Sequence, residues 1–198
     1  NRIKKKNFHL DIGCGPGTFL NFLKTKKSIG VDISKKQINY ANTYYRNKNL
    51  KFFKIEKNKF PFIKNSFDSV SMIELIEHLP KKEIINLMNN VHSKMKIGGK
   101  LYITSPNYKS LWPILEFLLN KLSKVKYEDQ HITKLDKLKI LNLIDSNKFD
   151  VVKISSFILL SPFLACISYR FAIFFLKIDN ILNYIIPGHL IYLELKKI

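Results

Sequence analysis

The chain has 198 residues, 46% of them hydrophobic and 13% aromatic, enough for one domain with a core of its own, and this excludes a disordered chain. Its 34 Lys and Arg outnumber 15 Asp and Glu, giving a formal net charge of +19. That surplus suits nucleic acid, anionic lipid headgroups or an acidic substrate, but Lys, Asn and Ile are abundant throughout and no compact Arg cluster stands out. The two cysteines, Cys14 and Cys166, lie far apart in unlike surroundings, which argues against a disulfide and for a reduced, cytoplasmic setting. No signal peptide is visible and no metal-spaced Cys/His set appears.

In chain order, residues 8–12 form an apolar run that reads as a buried strand, followed by Gly13, Cys14, Gly15, Pro16 and Gly17 and then by a helical pattern from Thr18. Strand, glycine turn and helix is how an α/β sheet brings backbone N–H groups close to a polar ligand, since glycine accepts positive φ and has no Cβ in the way. The spacing is G-x-G-x-G, not the G-x-G-x-x-G of dinucleotide binders, and no Lys-Ser/Thr follows as in a P-loop. Residues 28–32 read as a second strand ending in Asp32, nineteen positions after Gly13. An acid there can accept hydrogen bonds from both ribose hydroxyls, so a nucleoside ligand is expected.

Residues 35–46 read as a helix with Ser34 as N-cap, 50–55 as a strand ending before Glu56, and 67–72 as a strand whose carboxyl end, Ser71 to Glu74, should meet the substrate. Residues 80–96 repeat apolar side chains at Ile84, Met88, Val91 and Met95, a helix that Gly98-Gly99 is expected to end. Strands follow at 100–104, 149–154 and 190–195, with a helix at 135–144. Alternation of strand and helix predicts a Rossmann-like α/β fold over 1–198, a mostly parallel seven-stranded sheet with helices on both faces.

Two apolar stretches interrupt this plan, at about 108–126 and 156–188. Residues 157–176 are apolar on nearly every face and just long enough to span a bilayer, but Pro162 and Arg170 sit inside them. If the last strand joins the sheet, both ends of the stretch return to one side, and a single crossing is impossible. The expected form is a helical insertion covering the site or resting on a membrane surface, with a buried core or dimer helix as the alternative.

Asp11 with Gly13, Gly15 and Gly17, then Asp32, Phe67-Asp68-Ser69-Val70, Glu77-His78-Leu79, Gly98-Gly99-Lys100 and Ser105-Pro106-Asn107 together resemble the class I S-adenosylmethionine-dependent methyltransferases. The order is similar to the methyltransferase type 11 pattern shared with the ubiquinone-biosynthesis O-methyltransferases, over residues 8–107. The resemblance implies S-adenosylmethionine as cofactor, held by Asp11, Gly13, Cys14, Gly15, Gly17, Asp32, Ile33, Glu56 and Ser71. It also implies an antiparallel last strand beside the fifth, and it leaves open that the chain is a fragment lacking an N-terminal helix that covers the cofactor in related enzymes.

Methyl transfer needs positioning and, for a hydroxyl acceptor, a base. His78 is the first candidate, His131 the second, and Glu74 can orient the acceptor. Each has a structural alternative: a histidine packed at a helix start or in an insertion, and a surface charge. His9, His92 and His189 read as structural. Glu74, Glu77 and His78 offer metal ligands, but without a dedicated Asp-rich set no metal is expected. The expected acceptor is a small molecule, or one linked to lipid or glycan, methylated at oxygen. The alternatives are RNA methylation and a catalytically inactive cofactor-binding protein at a membrane. Ser71-Met72-Ile73-Glu74 lacks the Asn/Asp-Pro-Pro-Tyr/Phe of base-amine methylation, which makes nucleic acid the weaker partner. Oligomeric state is not legible.

Overall fold

A computed structural model describes residues 3–23, 25–57, 59–122, 129–159, 161, 164, 168–183 and 185–198. Its strands are β1 (Phe8–Ile12), β2 (Lys27–Asp32), β3 (Leu50–Lys54), β4 (Phe67–Ile73), β5 (Met95–Pro106), β6 (Phe149–Phe157) and β7 (Leu190–Lys197). They form one sheet in the order β3-β2-β1-β4-β5-β7-β6. The first five are parallel, and β7 runs antiparallel between β5 and β6. The Rossmann-like arrangement with an antiparallel last strand is therefore present.

Helices α1 (Thr18–Phe22) and α2 (Lys35–Tyr44) cover one face, where Leu20, Ile38 and Ala41 pack with Phe52 and Tyr102. Helices α3 (Lys81–Lys94) and α5 (Lys137–Leu141) cover the other. There Ile84, Leu87, Met88 and Val91, one stripe of α3, meet Leu10, Val70, Met72 and Leu101. Because both faces are covered, β1 and β4 are buried almost throughout. Ser34 caps α2 by accepting from the Gln37 N–H, and the Asp136 carboxylate caps α5 by accepting from the Leu138 and Lys139 N–H groups.

Three local expectations are corrected. Helix α3 stops at Lys94 and β5 begins at once, so Met95 pairs with Phe67 in the sheet and does not extend the helical stripe. Gly98-Gly99 therefore lies inside β5: Gly98 has φ 72°, and a Cβ on Gly99 would stand 2.8 Å from the Lys96 carbonyl, where the β4–β5 register shifts. Residues 135–144 hold only the short α5 before turning. The apolar stretch at 157–176 is not one helix, because β6 runs on to Phe157 and α6 (Tyr169–Leu182) starts only after Ser168. Pro162 and Cys166 lie outside the described residues. Among the described residues no helix is long and apolar enough to cross a membrane.

Within the two interrupting stretches stand α4 (Trp112–Leu122) and α6. The Asp179 carboxylate pins α6 to the end of β6 by accepting from the Leu159 and Ser161 N–H groups. Ala172 and Asp179 thus face inward, leaving Phe171, Phe174 and Ile181 outward and exposed.

Candidate active site

The glycine loop springs from the end of β1. Gly13, Gly15 and Gly17 have φ of 70°, 50° and 82°, conformations that cost other residues 1 kcal/mol or more, roughly. The N–H groups of Gly13 and Cys14 donate to the Val31 carbonyl at 2.9 and 3.0 Å, tying the loop to β2. A Cβ on Gly17 would lie 2.6 Å from the Phe52 ring, and one on Gly13 2.8 Å from Leu75, whereas one on Gly15 would meet nothing within 4 Å. Two of the glycines therefore serve packing, and the third keeps backbone open.

Asp32 ends β2. Its carboxylate accepts from the Gly15 N–H at 2.9 Å and the Ser34 N–H at 2.8 Å. It has two oxygens with about four acceptor positions in all, so it can still receive a ligand's hydroxyls. A cavity of about 330 Å³ opens beside it, lined by Gly13, Asp32, Ile33, Ile55, Phe60, Leu75 and His78 among others. Its wall is mostly apolar, as suits a flat base. Ile33 is 60% exposed, an apolar side chain held at its rim.

Asp11 lies beneath the loop, buried on the face of β1 that looks toward α1. Ser71 donates to it at 2.5 Å, Ser71 and His9 Nε2 meet at 2.9 Å, His9 Nδ1 and Ser69 at 2.8 Å, and the Asn7 side-chain amide donates to Ser69 at 3.2 Å. The register that pairs His9 with Ser69 and Asp11 with Ser71 creates this row. Burial pushes the Asp11 carboxyl up to about 7 and holds the His9 imidazole down at about 3. Ser71 thus reaches the loop region only through Asp11. Cys14 is buried against the sheet, its thiol near Gly30 and pushed up by burial. Glu56 stays outside the cavity, exposed and paired with Lys59 at 2.5 Å.

At the end of β4 the chain turns sharply. Glu74 has φ 49°, unusual without glycine, and leads into the 3₁₀ turn Ile76–His78. The Thr133 N–H and hydroxyl donate to the carbonyls of Glu77 and Leu79 at 2.9 and 2.6 Å, so the 131–133 segment lies along that turn. This brings His78 and His131 together, with ring centroids 5.2 Å apart. His131 Nδ1 stands 2.5 Å from Glu116 Oε1 and 3.0 Å from the Tyr108 hydroxyl. Burial holds the His131 pKa below the usual imidazole value. His78 and His131 thus share one corner with Glu77, and His78 also lines the cavity, whereas Glu74 sits at the end of β4 against Thr104. His92 packs on Phe149, and His189 joins Asn107 to the end of β6 through its backbone.

Sequence reasoning did not single out Glu116 or Tyr108, and it read His9 as structural without seeing its partners. Alternation of His9 with Asp11 and of Ser69 with Ser71 was a visible signal, but it needed the strand register to mean anything. No local signal marks Glu116 or Tyr108.

A family model described as a methyltransferase domain matches residues 1–154. The chain belongs to this family. Two relatives from Methanocaldococcus jannaschii, the proteins MJ1252 and MJ0638, are 32% and 33% identical to the methyltransferase over 152 and 115 residues, covering 75% and 54% of it. The chain spans about half the length of these curated relatives, 55% and 44% respectively. A structure of an S-adenosylmethionine-dependent methyltransferase from Archaeoglobus fulgidus superposes with a TM-score of 0.69 at 23% identity, over 98% of this chain and 87% of that one, which shows the shared fold.

Membership of this family implies S-adenosylmethionine as cofactor. The residues fit it: Gly15 offers bare backbone where a Cβ would have no neighbour, Asp32 keeps acceptor positions for a ribose, and an apolar cavity adjoins both. Asp11, buried under the loop, would face the cofactor's cationic end with a negative charge once it is ionised.

Proposed function

We propose that the protein transfers the methyl group of S-adenosylmethionine to an oxygen of a small-molecule, lipid-linked or glycan-linked acceptor. The cofactor supplies an electrophilic methyl on a sulfonium, so the protein's work is alignment and removal of the acceptor proton. The observation that carries this reading is the pairing of His78 with His131 where His78 lines the same cavity as Gly13 and Asp32. His78 Nδ1 lies 2.9 Å from the Gln130 carbonyl, to which it donates, and this directs the other ring nitrogen to act as base. Glu74, at the carboxyl end of β4, orients the acceptor.

An apolar acceptor is supported by the surface around this corner. Trp112 of α4 lies 6.2 Å from His131, and Phe117 of the same helix is 56% exposed. The outward face of α6 carries Phe174 at 64% exposure, with Arg170 and Lys177 beside it. Exposed aromatic side chains flanked by bases on a chain of charge +19 suit an anionic membrane surface, and within 157–176 the described part of that contact is α6.

The test supplies S-adenosylmethionine with a labelled methyl group and separates solvent-extractable lipid, aqueous metabolites and RNA from a cell extract. Label in the lipid or small-molecule fraction, on oxygen by mass spectrometry, is expected. Label in RNA replaces the acceptor class. Cofactor binding with no labelled product favours an inactive cofactor-binding protein.

A further inference from the structure

The positive charge is unevenly placed along the chain. Residues 1–55 hold thirteen Lys and Arg against two acids, Asp11 and Asp32, both at the cofactor loop, whereas residues 56–198 hold twenty-one against thirteen. Residues 33–55, which carry α2 and β3, hold six Lys and Arg and no acid. Among the described residues none of those six is in an ion pair, and the lysine–carboxylate pairs begin only at Lys57. The charge along this edge of the sheet is therefore dense and uncompensated.

Aromatic rings stand among these side chains. Lys36, Tyr40 and Tyr44 recur at intervals of four along α2 and share its outward face. Tyr40 and Tyr44 are 46% and 65% exposed, with ring centroids 4.5 Å apart. Arg46 and Lys48 follow in the turn to β3, and Lys51 and Lys54 are exposed on β3, the outermost strand of the sheet. Between the rings the helix exposes Gln37, Asn39 and Thr43, a face too polar to enter a bilayer. A protein strand added to β3 is opposed by Lys51 and Lys54 at that edge, and by the Asn42 amide, which already donates to the Phe52 carbonyl at 3.2 Å. A flexible polyanion with flat rings matches both features: its phosphates meet the unpaired cations, and its nucleobases stack on the tyrosines.

We propose that the outer face of α2, with the β3 edge, docks single-stranded RNA, its nucleobases stacked on Tyr40 and Tyr44 and its phosphates held by Lys36, Arg46, Lys48 and Lys51. A duplex hides the faces of its bases in its own stack, whereas RNA loops and ends present them unstacked. The docking face is additional to methyl transfer and stands whether or not the acceptor reading does.

The experiment follows the fluorescence anisotropy of a labelled, unstructured RNA of about 16 nucleotides with the whole protein over a range of NaCl, beside S-adenosylhomocysteine calorimetry. Saturable binding is expected, tighter than that of a duplex DNA of equal length. Tyr40→Ala with Tyr44→Ala leaves the charge unchanged, and it should weaken RNA binding at least about 10-fold while melting temperature and S-adenosylhomocysteine affinity hold. Lys36→Gln with Lys51→Gln should flatten the slope of log affinity against log salt by about 1.4, whereas the same charge change on α6, Arg170→Gln with Lys177→Gln, should leave the slope nearly unchanged. Equal RNA binding by the tyrosine variant, or an equal loss from the α6 changes, reduces the interaction to general charge and overturns the docking face. Tighter binding of the duplex overturns the RNA assignment, and flotation on anionic vesicles that the tyrosine variant loses gives the face to a membrane instead. Loss of S-adenosylhomocysteine binding by wild type with RNA binding intact overturns the methyltransferase reading and leaves this one standing.

Discussion

Asp32, the residue expected to hold the ribose, is also a strut. Its two carboxylate oxygens hold the N–H groups of Gly15 and Ser34, so cutting it to alanine strands two backbone donors as well as the ribose site. Asp32→Asn keeps one acceptor oxygen, and it should bind S-adenosylhomocysteine at least 10-fold more weakly while melting within a few degrees of wild type. Asp32→Ala should lose both affinity and about 1–3 kcal/mol of stability. Calorimetry and thermal melts separate the two. The buried row beneath gives a pH signature with opposing signs. Asp11 keeps its proton in the folded state up to about 7, whereas the unfolded chain releases it near pH 4, so this group costs stability as pH rises through that window. His9 stays neutral down to about 3, whereas the unfolded chain protonates it near 6.5, so this group costs stability as pH falls. Asp11→Asn should therefore remove this group's share of the loss between pH 4 and 7 and keep the acid-side loss of His9, with a slope of up to about 1.4 kcal/mol per pH unit between 6.5 and 3, visible as a difference from wild type in denaturant titrations. Cofactor affinity should climb from pH 6 to 8 in wild type as Asp11 ionises, and stay flat in Asp11→Asn.

At the scale of elements, the three loop glycines divide their duties. Gly15→Ala meets no neighbour, so it should cost only the strain of positive φ, about 1–2 kcal/mol, yet abolish cofactor binding by occupying the approach. Gly17→Ala adds a collision with the Phe52 ring and should destabilise far more, by thermal melt, whatever its effect on binding. The sequence made the loop and both acids readable because their signals are local: an apolar strand, glycines at fixed spacing, an acid at the next strand's tip. Gly98-Gly99 misled because glycine marks a helix end and a crowded strand crossing alike, and only the approach of the Lys96 carbonyl distinguishes them. The Glu116–His131 pair was illegible for another reason. The two are fifteen residues apart, one on α4 and one on the segment that Thr133 binds to the turn after β4, and a contact between such segments is something no spacing rule encodes. The likeness of His78 to a base could be read. Its neighbour across 53 residues could not.

For the whole molecule, charge and apolar surface point the same way. With α6 pinned through Asp179 to the end of β6, its aromatic face has no route into the core, so the chain carries it outward. Flotation with anionic vesicles should carry the protein upward, and Phe171→Ser with Phe174→Ser should leave it at the bottom without altering S-adenosylhomocysteine affinity. Raised salt should weaken the wild-type interaction, because the basic residues act across a screened distance. Equal flotation of both proteins would place the contact elsewhere.

The buried row from Asn7 to Asp11 also has a polarity. An ionised Asp11 only accepts, so Ser71 points its hydrogen at it and must itself receive one from His9 Nε2. His9 Nδ1 is then the acceptor for the Ser69 hydroxyl, whose oxygen takes the Asn7 amide. Every hydrogen in the row is oriented toward the cofactor loop, like aligned needles, and their dipoles sum on one carboxylate. The ring of His9 is thereby fixed in a single tautomer from a distance. Its two nitrogen resonances become an internal compass for the charge on Asp11, legible from the far end of the sheet.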